Sequence, residues 1–243
     1  YQYGDRVFGC WLTEGHGNTD LTSALMQSCD IYFYKTIQYY DLNKLAEFFR
    51  AFGFGKVTGI DIGREYKGTI PTSAYMNKRY GLSGWSKGAL LNFCIGQGEI
   101  LVTPIQVFNY TNLLATNGIA SSPHLVLSTK TELRSNLNLS SNTWDRITFD
   151  MNQVIVNING TGKNADPLVE NADIYGKTGT AENPHGEDHA WFIGWLDYEG
   201  QKVSIVVLLE NAGSGGAVAA PLARKVFNNI LINMKNSSNL SLR

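Results

Sequence analysis

The sequence lacks any apolar run near the roughly 20 residues that a bilayer span requires. Its longest runs, such as Val203 to Leu209, suit a buried strand. It also lacks an initiator Met and any leader-like start; Tyr1-Gln2-Tyr3-Gly4 reads as the beginning of an excised fragment, and if the protein works outside the cytoplasm its targeting segment is expected upstream. Net charge is nearly absent, at −1, which removes the basic field that nucleic acid would need as a partner. Cysteine is scarce and odd in number. Cys10, Cys29 and Cys94 cannot form a complete disulfide framework, and each is readable as a small buried hydrophobe. No serine is followed three residues later by lysine: Ser83-Gly84-Trp85-Ser86 fails at its fourth place and Ser86-Lys87 has the wrong spacing. What is there is ordinary for a globular protein, 43% apolar and 17% charged over 243 residues. With no internal repeat or low-complexity linker, residues 1–243 read as one large domain.

The pattern along the chain changes character once. Residues 1–18 read as loop. Asp20 is placed to cap a helix through Gln27, and a second helix follows from Ile31 to about Tyr40. Leu42 to Phe52 is amphipathic and ends at Gly53, a cap glycine. Thr58 to Gly63 looks β-like, and Arg64 to Gly98 reads as long loops. Thr103-Pro104 starts a helix that should stop at Gly118, and Thr143 to Asn159 predicts another. Three strands then follow, around 174–180, 190–198 and 202–210, the last two joined at Glu199-Gly200-Gln201. Ala217 to Met234 closes the chain as a helix. Helices first, then an antiparallel meander and a covering helix, predict an α+β layer fold.

Lys177-Thr178-Gly179-Thr180 carries the clearest chemistry. A lysine on a strand, followed by Thr-Gly-Thr, sets an ammonium, two hydroxyls and an unobstructed backbone side by side. Thr178 and Thr180 alternate faces with Gly179. Such an edge can pair with an extended peptide. Lys177 and Thr180 can meet a carboxylate, and an N–H near Thr180 can stabilise an oxyanion. The tetrapeptide alone fits an exposed strand end with a solvated lysine equally well.

Its company decides the reading. Ser28-x-Asp30, Gly96-Gln97-Gly98, Thr103-Pro104-x-Gln106 and Lys177-Thr178-Gly179 occur in this chain together with Gly15-His16-Gly17, Thr58-Gly59-Ile60-Asp61 and Ala181 to Trp195. The set resembles the elongation-type class B penicillin-binding proteins, whose superfamily runs Ser-x-x-Lys, Ser-Asp-Asn, Lys-Thr-Gly. The resemblance covers nearly the whole chain. It implies the fold shared with serine β-lactamases: an antiparallel sheet of five strands with helices on both faces, of which two strands and the nucleophile helix are missing here. The sheet should then present an open edge at its last strand. The resemblance also implies a D,D-transpeptidase, with stem peptides of peptidoglycan as substrates, β-lactams as inhibitors and membrane-bound elongation proteins as partners. The site would be the outer, periplasmic face of the inner membrane. Ser28 would relay protons near the nucleophile and Lys177, Thr178, Gly179 and Thr180 would hold the terminal carboxylate. Asp30 stands where the wider family has Asn. Asn can donate to a substrate carbonyl and an ionised Asp can only accept, so Asp30 either binds substrate or orients a lysine. Helix capping is the structural alternative for Ser28 and Asp30. The absent Ser-x-x-Lys is read as truncation, so that this chain alone should not react with penicillin. Rival readings are a β-lactamase or β-lactam sensor on the same fold, and a non-catalytic scaffold.

No cofactor is needed for that catalysis, but a structural metal has candidate ligands. Five residues separate Cys10 from His16 and twelve separate His16 from Cys29. Two thiolates and an imidazole suit zinc. Some elongation-type relatives resemble this, with zinc beside the second motif held by Asp, Asp, His and Cys; on that match Cys10 replaces an Asp. The site then has three ligands from this chain, or a fourth from Asp5, Glu14 or Asp30. A buried Cys pair beside a loop histidine is the alternative. His185 and His189, near Glu187 and Asp188, read as polar loop residues.

Overall fold

The computed structural model describes residues 1–82, 84–127, 133–136 and 138–241, at the backbone alone for 121, 133–136 and 237–241. They form two compact units, Tyr1–Trp144 and Asp145–Arg243.

The first unit is mostly helical. It opens on a ribbon of β1 (Gln2–Tyr3) and β2 (Arg6–Val7), so the expected opening loop holds a small antiparallel pair turned at Gly4, φ +58°. Six helices follow: α1 (Leu21–Met26), α2 (Asp30–Ile37), α3 (Leu42–Ala51), α4 (Ser73–Tyr80), α5 (Ala89–Cys94) and α6 (Pro104–Ala115). Asp20, Asp41, Thr72 and Thr103 each accept an N–H from the first turn they precede, a cap worth about 1 kcal/mol apiece. A second ribbon pairs β3 (Ile119–Ser121) with β4 (Leu133–Asn136). Phe8, Tyr34, Leu42, Met76, Leu91 and Phe93 share one core.

Two expectations for this unit fail. The stretch from Arg64 to Gly98 is not all loop, because α4 and α5 lie in it. Helix α4 buries only Met76, which leaves too thin an apolar stripe to show as a period, and α5 is six residues long. Thr58 to Gly63 is not a strand either. Its backbone wraps a carboxylate: Glu65 accepts the N–H and hydroxyl of Thr58 at 2.7 and 2.8 Å and the N–H of Gly59 at 2.7 Å. Burial pushes the Glu65 carboxyl up, and these hydrogen bonds outweigh it, so its pKa lies below the ordinary value. A depressed folded pKa stabilises above the unfolded value and is lost as pH falls through the folded one. Glu65→Gln is therefore expected to lower stability by about 1–2 kcal/mol at pH 7. The difference should shrink on acidification. Urea unfolding at several pH values checks this, and an unchanged midpoint at pH 7 would refute it.

Gln106 shows the same economy. It completes a capping box with Thr103 and donates its amide to the carbonyls of Lys56 and Lys67 at 2.7 and 3.0 Å. The side chain is buried, and it fixes the loop against α6. Gly68 permits this approach; with φ +65°, a Cβ there would lie 2.1 Å from the Leu101 carbonyl oxygen.

The division between units falls inside α7 (Ser141–Val156). The second unit holds a three-stranded antiparallel sheet in the order β5 (Ala172–Ala181), β6 (His189–Tyr198), β7 (Gln201–Leu209). This is the expected meander. Glu199 and Gly200 turn the second hairpin with φ +54° and +79°, the positive pair a two-residue turn demands. Among the described residues β5 and β7 each have one strand neighbour. The closing helix α8 (Ala220–Ser241) lies against β6 and β7. It starts differently from expectation, through one π-type turn at Gly215–Ala219. Trp195, Phe192, Phe227, Ile174, Val154 and Leu231 fill the core. Asn152 donates to the Ile174 carbonyl at 3.1 Å and ties α7 to β5.

Candidate active site

The candidate residues divide between the units: Cys10, His16, Ser28, Cys29 and Asp30 in the first, Lys177 to Thr180 in the second.

In the second unit the Lys-Thr-Gly-Thr segment lies on β5, paired with β6 through Lys177–Ile193, Thr178–Phe192, Gly179–Trp191 and Thr180–Ala190. Since β5 ends the sheet, its other edge is available to an extended peptide. Lys177 turns its ammonium onto the Thr178 carbonyl at 2.9 Å. Thr178 donates its hydroxyl to that of Thr161 at 2.8 Å. Thr180 accepts the Gly215 N–H at 3.3 Å.

Sequence reading overlooked Gly215 and Thr161. The π-type turn comes so close to β5 that a Cβ on Gly215 would lie 2.2 Å from the Gly179 carbonyl oxygen and 2.4 Å from that of Trp191. The turn is also held from below, where Asn164 donates to the Gly216 carbonyl at 3.0 Å. The Gly-Ser-Gly-Gly run at 213–216 was the available signal. Beside it, the β5–β6 loop is laced to residues 211–213. Asn211 donates its N–H to His189 Nδ1 at 3.0 Å, Asn183 donates to the Asn211 side chain at 2.6 Å, and the Asp188 carbonyl accepts from Ala212 and Gly213. His189 is thus a loop tie with its proton on Nε2.

In the first unit Ser28 has φ +56°. The cap position of α2 belongs to buried Cys29, and Asp30 is the first helical residue. Cys10, His16 and Cys29 come together, their ligand atoms all within 4.8 Å of one another. Cys10 Sγ lies 3.5 Å from His16 Nδ1. Across a tetrahedral zinc, sulfur and nitrogen ligands stand about 3.5 Å apart, given Zn–S near 2.3 Å and Zn–N near 2.0–2.1 Å. His16 Nε2 is buried and has no hydrogen-bond partner. The set therefore fits a metal by distance and donor type. Gly15 and Gly17, on either side of His16, adopt the left-handed backbone that glycine permits, φ +76° and +64°. Burial pushes the Cys10 thiol up, the charges of Asp30 and Cys29 add to that, and N–H groups of Leu12 and Asp30 pull the other way. Among the described residues none of Asp5, Glu14 and Asp30 joins the ligand group. Asp30 supports Cys10 with its backbone instead.

Residues 1–228 match the family described as the penicillin binding protein transpeptidase domain. The chain belongs to the penicillin-binding protein transpeptidase family. It is 36% identical over 90% of its length to a Haemophilus influenzae peptidoglycan D,D-transpeptidase MrdA, and 29% identical over 93% to the Escherichia coli protein of that name. It spans 37% and 39% of those relatives' own lengths. A penicillin-binding protein (PBP2) from Helicobacter pylori superposes with a TM-score of 0.83 at 32% identity, covering 94% of this chain and 43% of that one. The H. pylori protein has also been solved in complex with MreC. PBP2 from Pseudomonas aeruginosa gives 0.82 at 30% identity, covering 94% of this chain and 51% of its own. Helices followed by an antiparallel meander are the family's α+β fold.

Proposed function

We propose that the protein containing this chain is a peptidoglycan D,D-transpeptidase of the elongation type. The observation that carries this is β5: a sheet-edge strand bearing Lys177, Thr178, Gly179 and Thr180, with a glycine-backed N–H fixing the Thr180 hydroxyl. A serine attacks the carbonyl of a D-Ala-D-Ala bond, D-Ala leaves with a proton, and an amine of a second stem peptide takes the acyl group as the serine recovers its hydrogen. The nucleophile belongs to a Ser-x-x-Lys motif, which these 243 residues do not contain. Ser28 relays protons during acylation. Lys177 and Thr180 bind the terminal carboxylate of donor peptide or β-lactam, and the β5 edge aligns the peptide backbone.

Cys10, His16 and Cys29 would hold a structural zinc, which supplies no step of the reaction. The enzyme works on the outer face of the inner membrane, with membrane-bound elongation proteins as partners. The resemblance to a relative solved with MreC supports that assignment. No helix among the described residues is long and apolar enough to cross a membrane.

Fluorescent penicillin tests the reading. The full-length protein is expected to be labelled, and the isolated chain is not. Labelling of the isolated chain would show that a residue here is the nucleophile, and failure of the full-length protein to label would defeat the transpeptidase assignment.

A further inference from the structure

The end of α1 is built as a Schellman motif. Cys29 donates its N–H to the Ala24 carbonyl at 2.8 Å and Ser28 donates to Leu25 at 3.3 Å. Such a motif needs a left-handed residue at its turn, usually glycine. Here that residue is Ser28, φ +56°. Any residue with a Cβ is strained there, because that carbon crowds the following carbonyl oxygen, so something must hold it. The carbonyls just past the helix end also need donors.

Both needs meet in one side chain. Trp11 reaches across 16 and 17 residues and gives its indole N–H to the carbonyls of Gln27 and Ser28, at 2.9 and 3.1 Å. The ring is largely exposed, 60%, so burial does not explain its position. Its inner edge meets His16, centroids 5.5 Å apart. On either side of this bond sit the two thiols: Cys10 precedes Trp11 and Cys29 follows Ser28.

We infer that Trp11 is a positioning residue for Ser28, a clasp that holds the serine in the left-handed backbone from which its hydroxyl is aimed. The inference rests on the transpeptidase reading. It makes the segment Cys10–Trp11 and the segment Ser28–Cys29 one unit, joined by a hydrogen bond as well as by shared metal donors. Because Ser28 moves protons during acylation, loosening it should slow the chemical step and leave non-covalent β-lactam binding alone.

The test is the acylation of the full-length protein by a penicillin, resolved into its dissociation constant and its acylation rate constant. Trp11→Phe keeps the ring against His16 and removes the N–H. It is expected to lower the rate constant about tenfold with the dissociation constant within twofold. Trp11→His, which retains a ring N–H, should recover at least threefold of that loss. In the unmodified protein the Trp11 indole proton should exchange with water at least tenfold more slowly than that of free indole, despite the exposure of the ring. A rate constant for Trp11→Phe within twofold of the original overturns the inference, as does an equal loss in both constants. Should Trp11→Phe not fold, indole exchange at the free rate overturns it. A full-length protein that no penicillin acylates defeats the transpeptidase reading and this inference together, whereas acylation indifferent to Trp11 defeats the inference only.

Discussion

Alanine at position 215 is expected to reduce acylation of the full-length protein by β-lactams about 100-fold. The reason is distance. A methyl carbon there would stand 2.2 Å from one carbonyl oxygen of β5 and 2.4 Å from one of β6, where about 3 Å is the least that real contacts allow. The turn must therefore back away by on the order of 1 Å, a displacement that can cost 10²-fold in rate when it misplaces a binding group. What it misplaces is the N–H that orients the Thr180 hydroxyl. Folding should suffer less, by about 1–3 kcal/mol, as for other overpacked sites. Gly9→Ala serves as the control, because a methyl there meets nothing within 4 Å. Acylation rates with bocillin-type probes, read beside thermal melting, give the answer. A loss under threefold in Gly215→Ala would mean that the turn does not position Thr180.

Metal removal is expected to give the second large effect. Protein purified without added metal should carry about one equivalent of zinc. Chelation should then lower the melting temperature by about 5–10 °C, since a ligand present at 100 times its Kd stabilises by about 2.7 kcal/mol and each kcal/mol shifts a chain of this size by about 2–4 °C. The argument is the donor set of the site. One ligand atom each from Cys10, His16 and Cys29 lies within 4.8 Å of the others, and Cys10 Sγ stands 3.5 Å from His16 Nδ1. Cys29→Ser should abolish both the zinc and the chelator response. Less than a tenth of an equivalent by elemental analysis would sink the metal assignment.

How much of this was legible beforehand depends on the range of the interactions. The meander was plain because its signal is local: alternating strands, a two-residue turn, a closing helix. The capped helices at Asp20 and Thr103 were plain for the same reason. Helix α4 was hidden because a single buried residue, Met76, makes no stripe. The clasp on Glu65 was hidden because its partners are backbone groups, which carry no letter in the sequence. The site shows the same division. Cys10, His16 and Cys29 were chosen by residue type, and the loop that brings them together passes through two glycines with left-handed backbone. Trp11 looked like one more aromatic in a loop. Gly215 looked like turn composition, and only the closeness of the sheet explains it. The part played by Asp30 was hidden for another reason: its N–H acts on Cys10, a role its carboxylate does not advertise.

The meander has a kinetic consequence. Strands β5 and β6 pair along their whole length across only residues 182–188, and β6 and β7 pair across Glu199 and Gly200. Closing such short loops sacrifices little chain entropy, and structure built from sequence-local pairs forms fast. Lys177 to Thr180 therefore ride on an element that can assemble early. The Cys10–Cys29 and Trp11–Ser28 contacts close longer spans and consolidate afterwards. A refolding chain would thus form the strand of Lys177 to Thr180 before the turn at Ser28, and that turn would be the part that a chaperone or a scarce metal could delay.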